Sequence, residues 1–326
     1  MPEDLARWLG RDDLRIDQIL GGASNLTFRV RTGDDDWILR RPPAVVTATS
    51  HDMEREWTVL RGLASTDVPV PRVVRTCDDT SVLGAPFYLM ERLDGIVFRS
   101  ADDVGHLDEG QARACTGELV DVLVALHAVD PAAVGLQTFG RPEGFLERQV
   151  RRWARQWELT KFAEVPDIDE TVRRLGSSLP ARGAPAIVHG DYSFNNTIFR
   201  REPPATMAGV LDWELSTLGD PLADVGMLVL YWGEIAESIW TGTQAHRSNP
   251  GFGTSEELLQ RYASVSKRDL DDIGFYVALA TLKMAVIMAG TRVRVADADP
   301  ERARQLETKA RLLASVALEA AERLSH

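Results

Sequence analysis

The chain has only two cysteines in 326 residues, Cys77 and Cys115, without paired spacing, so neither a disulfide framework nor a cysteine-based zinc site is expected. Its six histidines, at 51, 106, 127, 189, 246 and 326, form no cluster that would serve a metal. Cationic residues are in deficit: 37 Lys and Arg stand against 49 Asp and Glu, and a net charge of -12 disfavours nonspecific binding to nucleic acid. There is no internal repeat and no low-complexity tract. The opening segment, MPEDLARWLG, is acidic and poor in apolar residues, which is unlike a secretory signal and fits a reducing cytoplasm. One window, residues 273–290, reaches membrane-spanning length, but Lys283 interrupts it and a buried core helix is the expected reading. What these absences leave is an ordinary globular chain, 44% hydrophobic, long enough for two domains or one large one.

What is present is concentrated in residues 187–214, IVHGDYSFNNTIFRREPPATMAGVLDWE. Asp191 and Asn196 stand five apart, and Asp212 follows a second apolar run, so two short strands joined by a hairpin-like loop would gather all three. That set suits phosphoryl transfer. Asp191 would take the proton of an attacking hydroxyl, while Asn196 and Asp212 would hold magnesium against a polyphosphate.

Earlier in the chain, residues 16–41 read as two antiparallel strands after a small-residue loop, Gly21-Gly22-Ala23-Ser24, whose backbone N–H groups could approach phosphate oxygens. The loop is neither a Walker sequence nor a complete G-x-G-x-x-G, so alone it is a weak signal. Residues 51–64 read as a helix whose apolar arc, Met53, Trp57, Val59, Leu60 and Leu63, includes Glu56. A carboxylate aimed at a core needs a partner, and Arg40 at the end of the second strand is the candidate. Residues 69–74 and 86–93 read as further strands. The second leads through Glu91 and Leu93 into a glycine turn, a hinge whose backbone could pair with an adenine edge. The expected boundary lies there, with a nucleotide-binding lobe at 1–94 and a helical catalytic and substrate-binding lobe at 95–326.

Beyond the hinge, Ala112 to Leu126 carries one apolar stripe, which makes Cys115 and His127 core residues rather than nucleophile and ligand. A helix over 143–162 sets Arg148, Arg151, Arg152 and Arg155 on one face, either solvated or receptive to an anion. Asp220-Pro221 starts a further helix by capping, whereas Asp224 sits among apolar neighbours and should brace the Asp191 loop through backbone N–H groups. Residues 233–253 lack periodicity and read as a loop over a site. Three helical patterns, at 254–265, 269–294 and 301–324, complete the chain.

Taken together, Arg40, Glu56, His189-Gly190-Asp191, Asn196, Asp212 and Gly219-Asp220-Pro221 resemble the aminoglycoside-phosphotransferase family of small-molecule kinases over nearly the whole length. WILRRPP, HDMEREWTVL, GAPFYLMERLDG and LDWELSTLGDPLADV are similar, more narrowly, to the kinase-like domain joined to some acyl-CoA dehydrogenases. The resemblance implies an α+β, protein-kinase-like fold of two lobes with ATP and Mg2+ in the cleft and a small hydroxylated molecule as partner. For the narrower group it implies a hydroxyacyl-CoA acceptor; aminoglycosides and other amino-alcohols are the alternative. The strand lysine of the wider family is Arg40 here, which keeps a pseudokinase in view, and metal-assisted hydrolysis is a third reading. With no Ala-Pro-Glu segment or long activation loop after Asp212, protein substrates are not expected.

Overall fold

The computed structural model describes residues 2–19, 25–43, 53–181, 183–203, 205–240 and 244–324. Helix α1 (Pro2–Leu9) precedes a five-stranded antiparallel sheet formed by β1 (Arg15–Ile19), β2 (Leu26–Thr32), β3 (Asp35–Arg41), β4 (Val73–Cys77) and β5 (Phe87–Glu91), in the spatial order β1-β2-β3-β5-β4. Helix α2 (Met53–Leu63) intervenes between β3 and β4, and the single turn α3 (Thr80–Leu83) between β4 and β5.

Alternation along the strands decides which residues meet which layer. Phe28, Val30, Leu39, Phe87 and Leu89 bury one face of the sheet in a small core with Leu5 of α1. Tyr88 and Met90 point the other way, into a second and larger core that holds Met53, Trp57, Val59, Leu60 and Leu63 of α2. Arg40 sits beside Leu39 and directly opposite Tyr88 in the ladder, so it projects on the α2 side. The strand expected at 69–74 begins only at Val73. Pro69 and Pro71 have no N–H to donate to a ladder, and the Pro69 carbonyl instead accepts from Val210 N at 2.8 Å.

The rest is mostly helical: α4 (Ala101–Val104), α5 (Glu109–Ala128), α6 (Phe145–Thr160) and α7 (Pro166–Ser177) come first. Two ribbons follow, β6 (Ala186–Val188) paired with β9 (Thr217–Gly219), and β7 (Thr197–Phe199) paired with β8 (Met207–Val210). Helices α8 (Leu222–Trp232), α9 (Ile235–Ile239), α10 (Ser255–Ser266), α11 (Ile273–Val295) and α12 (Pro300–Glu322) complete the lobe. A loop was expected over 233–253. The described part instead contains α9 and two short 3-10 turns, because Ala236, Ile239, Ala245 and Phe252 are buried and need local hydrogen-bonded structure around them. Helix α11 is long and apolar enough to cross a membrane by composition, and 67% of its apolar window is buried within the protein.

Candidate active site

The apolar arc of α2 turns Glu56 into the interior, where it is 1% exposed. Arg40 meets it with Nε 3.2 Å from Glu56 Oε2, an ion-pair distance without hydrogen-bond alignment. Two further donors hold the carboxylate, Tyr88 Oη at 2.8 Å and Asn25 Nδ2 at 2.8 Å. Arg40 then reaches across to the other lobe, where Nη2 donates to Asp212 Oδ1 at 2.9 Å. Burial opposes the guanidinium charge, and Glu56, Tyr88 and Asp212 more than restore it, so Arg40 is held as a cation. Asn25 makes a second interlobe contact, to Glu214 Oε2 at 3.2 Å.

The Asp191 loop is fixed one peptide at a time. Asp224, fully buried one turn into α8, accepts from His189 N at 2.6 Å and from Gly190 N at 2.7 Å, as its apolar surroundings led us to expect. His127 Nε2 lies 3.2 Å from the same carboxylate, and Tyr262 Oη is 2.8 Å from its other ring nitrogen. Burial alone would raise the Asp224 pKa, but the hydrogen bond and charge of His127, with His189, lower it below the ordinary carboxylate value. Gly190 has φ +87°, and a Cβ there would stand 2.8 Å from Leu215 O, so only glycine fits.

At the end of this loop the Asp191 carboxylate is held from both sides: Tyr231 Oη donates to Oδ1 at 2.8 Å and Asn196 Nδ2 to Oδ2 at 3.0 Å. Burial and the Asp191 carboxylate push the Tyr231 phenol well above its usual range, which keeps it a donor. Asn196 also donates to Asp191 O at 2.8 Å, and its own backbone carbonyl accepts from Leu211 N at 2.8 Å. That last bond ties the Asp191 segment to Asp212, whose backbone is left-handed at φ 64°, ψ 60°, a conformation rare outside glycine and typical of residues held for a purpose.

For a divalent metal the donor set is hard and oxygen-based. With Nδ2 of Asn196 committed to Asp191, its Oδ1 faces the other way, and the Asp212 carboxylate is 38% exposed. Among the described residues no group of three or more His, Cys, Asp or Glu could enclose a metal. Two protein ligands completed by phosphate oxygens and water suit magnesium rather than a caged ion.

Beside the loop opens a cavity of about 620 Å3, lined by Gly190, Glu214, Trp153 and a set of cations: Arg55, Arg141, Arg148, Arg152 and Lys283. The expected arginine stripe of α6 is therefore divided. Arg148 and Arg152 line the cavity, whereas Arg151 is exposed and pairs with Glu147 at 3.0 Å.

Of the nucleotide-contact candidates, Arg40 and Glu56 are brought together as described. Glu91 ends β5 with its N–H donated to Arg72 O at 2.9 Å, so that N–H is not the group that meets an adenine edge. Leu93 packs its side chain onto Gly209 of β8, where an added Cβ would have to push the Leu93 Cδ1 aside. Ser24 lies outside the described residues. Tyr231, Asn25 and Lys283 were not singled out from sequence. Tyr231 had a usable signal: it lies seven residues after Asp224, on the same face of α8. Arg40→Lys should lower stability by about 1–2 kcal/mol, since a single ammonium cannot span two carboxylates as the planar fork does. A fall in the urea midpoint with an unchanged m value would show it; an unaltered midpoint would refute the bridging role.

Residues 15–263 match the phosphotransferase enzyme family, APH. Acyl-CoA dehydrogenase family member 10 of Mus musculus is 34% identical over 277 residues, covering 84% of this chain and 26% of the mouse protein. Member 11 of Gallus gallus is 32% identical over 326 residues, covering 96% of this chain and 41% of that protein. The chain thus spans well under half the length of these relatives. A crystal structure from Ralstonia eutropha JMP134, provisionally assigned as an aminoglycoside phosphotransferase, superposes with a TM-score of 0.86 at 30% identity over 100% of this chain and 99% of that one. An APH(4)-Ia variant crystallised with ADP and hygromycin B superposes at 0.68 with 16% identity, covering 98% and 97%, which speaks to the fold alone. A small β-rich lobe joined to a helical one, an arginine–glutamate pair facing an Asp-x4-Asn loop, and these matches agree: the chain belongs to the phosphotransferase enzyme family and is a small-molecule kinase with a kinase-like fold.

Proposed function

We propose that the chain is an ATP- and Mg2+-dependent O-phosphotransferase that moves the γ-phosphoryl group to a hydroxyl of a small anionic molecule, a hydroxyacyl-CoA thioester being the acceptor of choice. The observation that carries this reading is the Asp191 carboxylate, gripped by Tyr231 and Asn196 beside a cavity walled by arginines. The acceptor hydroxyl gives its proton to Asp191 as its oxygen bonds to the γ-phosphorus, and the bond from that phosphorus to the β–γ bridging oxygen breaks, releasing ADP. Asn196 Oδ1 and Asp212 would hold Mg2+, which when bound neutralises polyphosphate charge. Arg40, kept in place by Glu56, turns its fork from Asp212 toward the α and β phosphates. Residues 1–94 form the nucleotide lobe in this reading and 95–326 carry the acceptor.

Support for ATP comes from APH(4)-Ia, crystallised with ADP or AMP-PNP. Hygromycin B occupies that protein as well, which keeps an aminoglycoside or amino-alcohol acceptor as the second reading. The cationic wall argues against it, because a polycationic sugar would meet like charge there. The test is ADP formation by the full chain with Mg2+ and ATP against 3-hydroxybutyryl-CoA, hygromycin B, choline and glucose. Turnover should rise with the CoA thioester and vanish with EDTA. Turnover confined to hygromycin B or choline would overturn the acceptor assignment, and ATP binding with no transfer to any of them would favour a pseudokinase.

A further inference from the structure

Helix α11 carries no charged side chain before Arg292 except Lys283. An ammonium placed mid-helix against a packed lobe loses hydration that must be replaced, at a cost of several kcal/mol otherwise. Its replacement is specific: Nζ donates to Gly190 O at 2.6 Å, and the Trp153 ring lies 6.0 Å away. The chain has four lysines, at 161, 267, 283 and 309, so Lys283 is the one that reaches the Asp191 loop.

The bonded atom matters. The Gly190 carbonyl and the Asp191 N–H belong to one rigid peptide plane. Asp191 N donates to His189 Nδ1 at 3.2 Å, and Lys283 takes the opposite edge. The two preceding planes are held by Asp224 through His189 N and Gly190 N. Three successive peptide units are thus pinned, and the last of them, the one that orients Asp191, is held by Lys283, whose side chain stands in the wall of the cavity as Asp224 does. An ammonium has three donors, and one is spent on Gly190 O.

We infer that Lys283 is a positioning residue for the transfer proposed above: it sets the Gly190–Asp191 peptide plane from the acceptor side and so couples the content of the cavity to the orientation of Asp191. The inference rests on that reading of the site. The groups facing Lys283 come from several elements: Asp191 from the loop, Asp224 from α8, and Arg148 and Arg152 from α6. Desolvation lowers the Lys283 pKa from the ordinary lysine value, Asp191 and Asp224 draw it back, and Arg152 adds to the lowering.

Lysine-selective 13C NMR on the full chain tests this coupling without an acceptor. Four Cε signals are expected, and Lys283→Met identifies one by its loss. That signal should titrate below the other three, and Asp191→Asn should move its midpoint down by a further 0.5 pH unit or so, since a neighbouring negative charge is removed. A midpoint shared with the other lysines, or unmoved in Asp191→Asn, overturns the inference. On the acceptor identified by the panel, Lys283→Met should lower kcat about tenfold with the KM for ATP unchanged, and Lys283→Arg should recover most of the loss. A wild-type kcat in Lys283→Met also overturns it. Absence of turnover in the wild type instead defeats the transferase reading and leaves the titration to decide the lysine.

Discussion

Asp191→Asn should lower turnover by about 10²- to 10⁴-fold, the usual contribution of a positioned acid or base, while ATP affinity changes by less than about threefold. The amide keeps the size of the carboxylate and can still accept from Tyr231. It cannot take a proton. Its Nδ2 also faces the wrong partner, because Asn196 Nδ2 already points a donor at the Oδ2 position, 3.0 Å away. The effect therefore belongs in kcat. In the proposed reading the nucleotide phosphates meet Arg40, which Glu56 holds on the other lobe and which Asp191 does not touch. Single-turnover ADP formation and calorimetric titration of ATP separate the two quantities. Turnover within about threefold of the wild type would remove Asp191 from the proton transfer and, with it, the proposed mechanism.

Asp224→Ala should be the most destabilising single change in the lobe, at about 3–5 kcal/mol. The substitution strands two backbone N–H donors, of His189 and Gly190, and the imidazole of His127, of which His189 and His127 are buried. Urea denaturation should show it as a lowered midpoint, and a loss below about 1 kcal/mol would mean that water enters and replaces the carboxylate. The pH dependence has a definite sign. Because the folded pKa of Asp224 is lowered from 3.8, its contribution is complete above the ordinary carboxylate range and is lost as pH falls through the folded value. Asp224→Asn should therefore flatten the acid limb of the wild-type stability curve below about pH 4.

The parts of the site legible in the sequence were those in which local pattern and chemistry coincide. The Asp191–Asn196 spacing spans a loop and one 3-10 turn, so five residues suffice to bring the two side chains into contact. Glu56 was legible because a charge inside an apolar helical arc demands a partner, and the strand end that supplies one, Arg40, is adjacent in chain and space. Asp224 was legible on the same ground. Lys283 was visible only as an interruption of an apolar run, since its partner lies 93 residues away and is a backbone carbonyl without sequence identity. Asn25 and Glu214, 189 residues apart, meet where the two lobes face one another, a relation no local periodicity encodes. The misplaced strand at 69–74 has a similar origin: alternation there was real, but two prolines removed the donors on which a ladder depends.

Helix α8 holds Asp224 at its start and Tyr231 near its end, and both grip the segment from His189 to Asp191. Two helical turns, roughly 10.5 Å, thus serve as a gauge block against which the reactive loop is cut to length. Every residue of the block is buried or half-buried, so only swaps that keep its packing are open to exchange. Its residue count is fixed, because adding or removing one position swings Tyr231 through about 100° and releases Asp191 while leaving Asp224 in place. Variation between positions 224 and 231 is accordingly confined to volume-conserving swaps and closed in register.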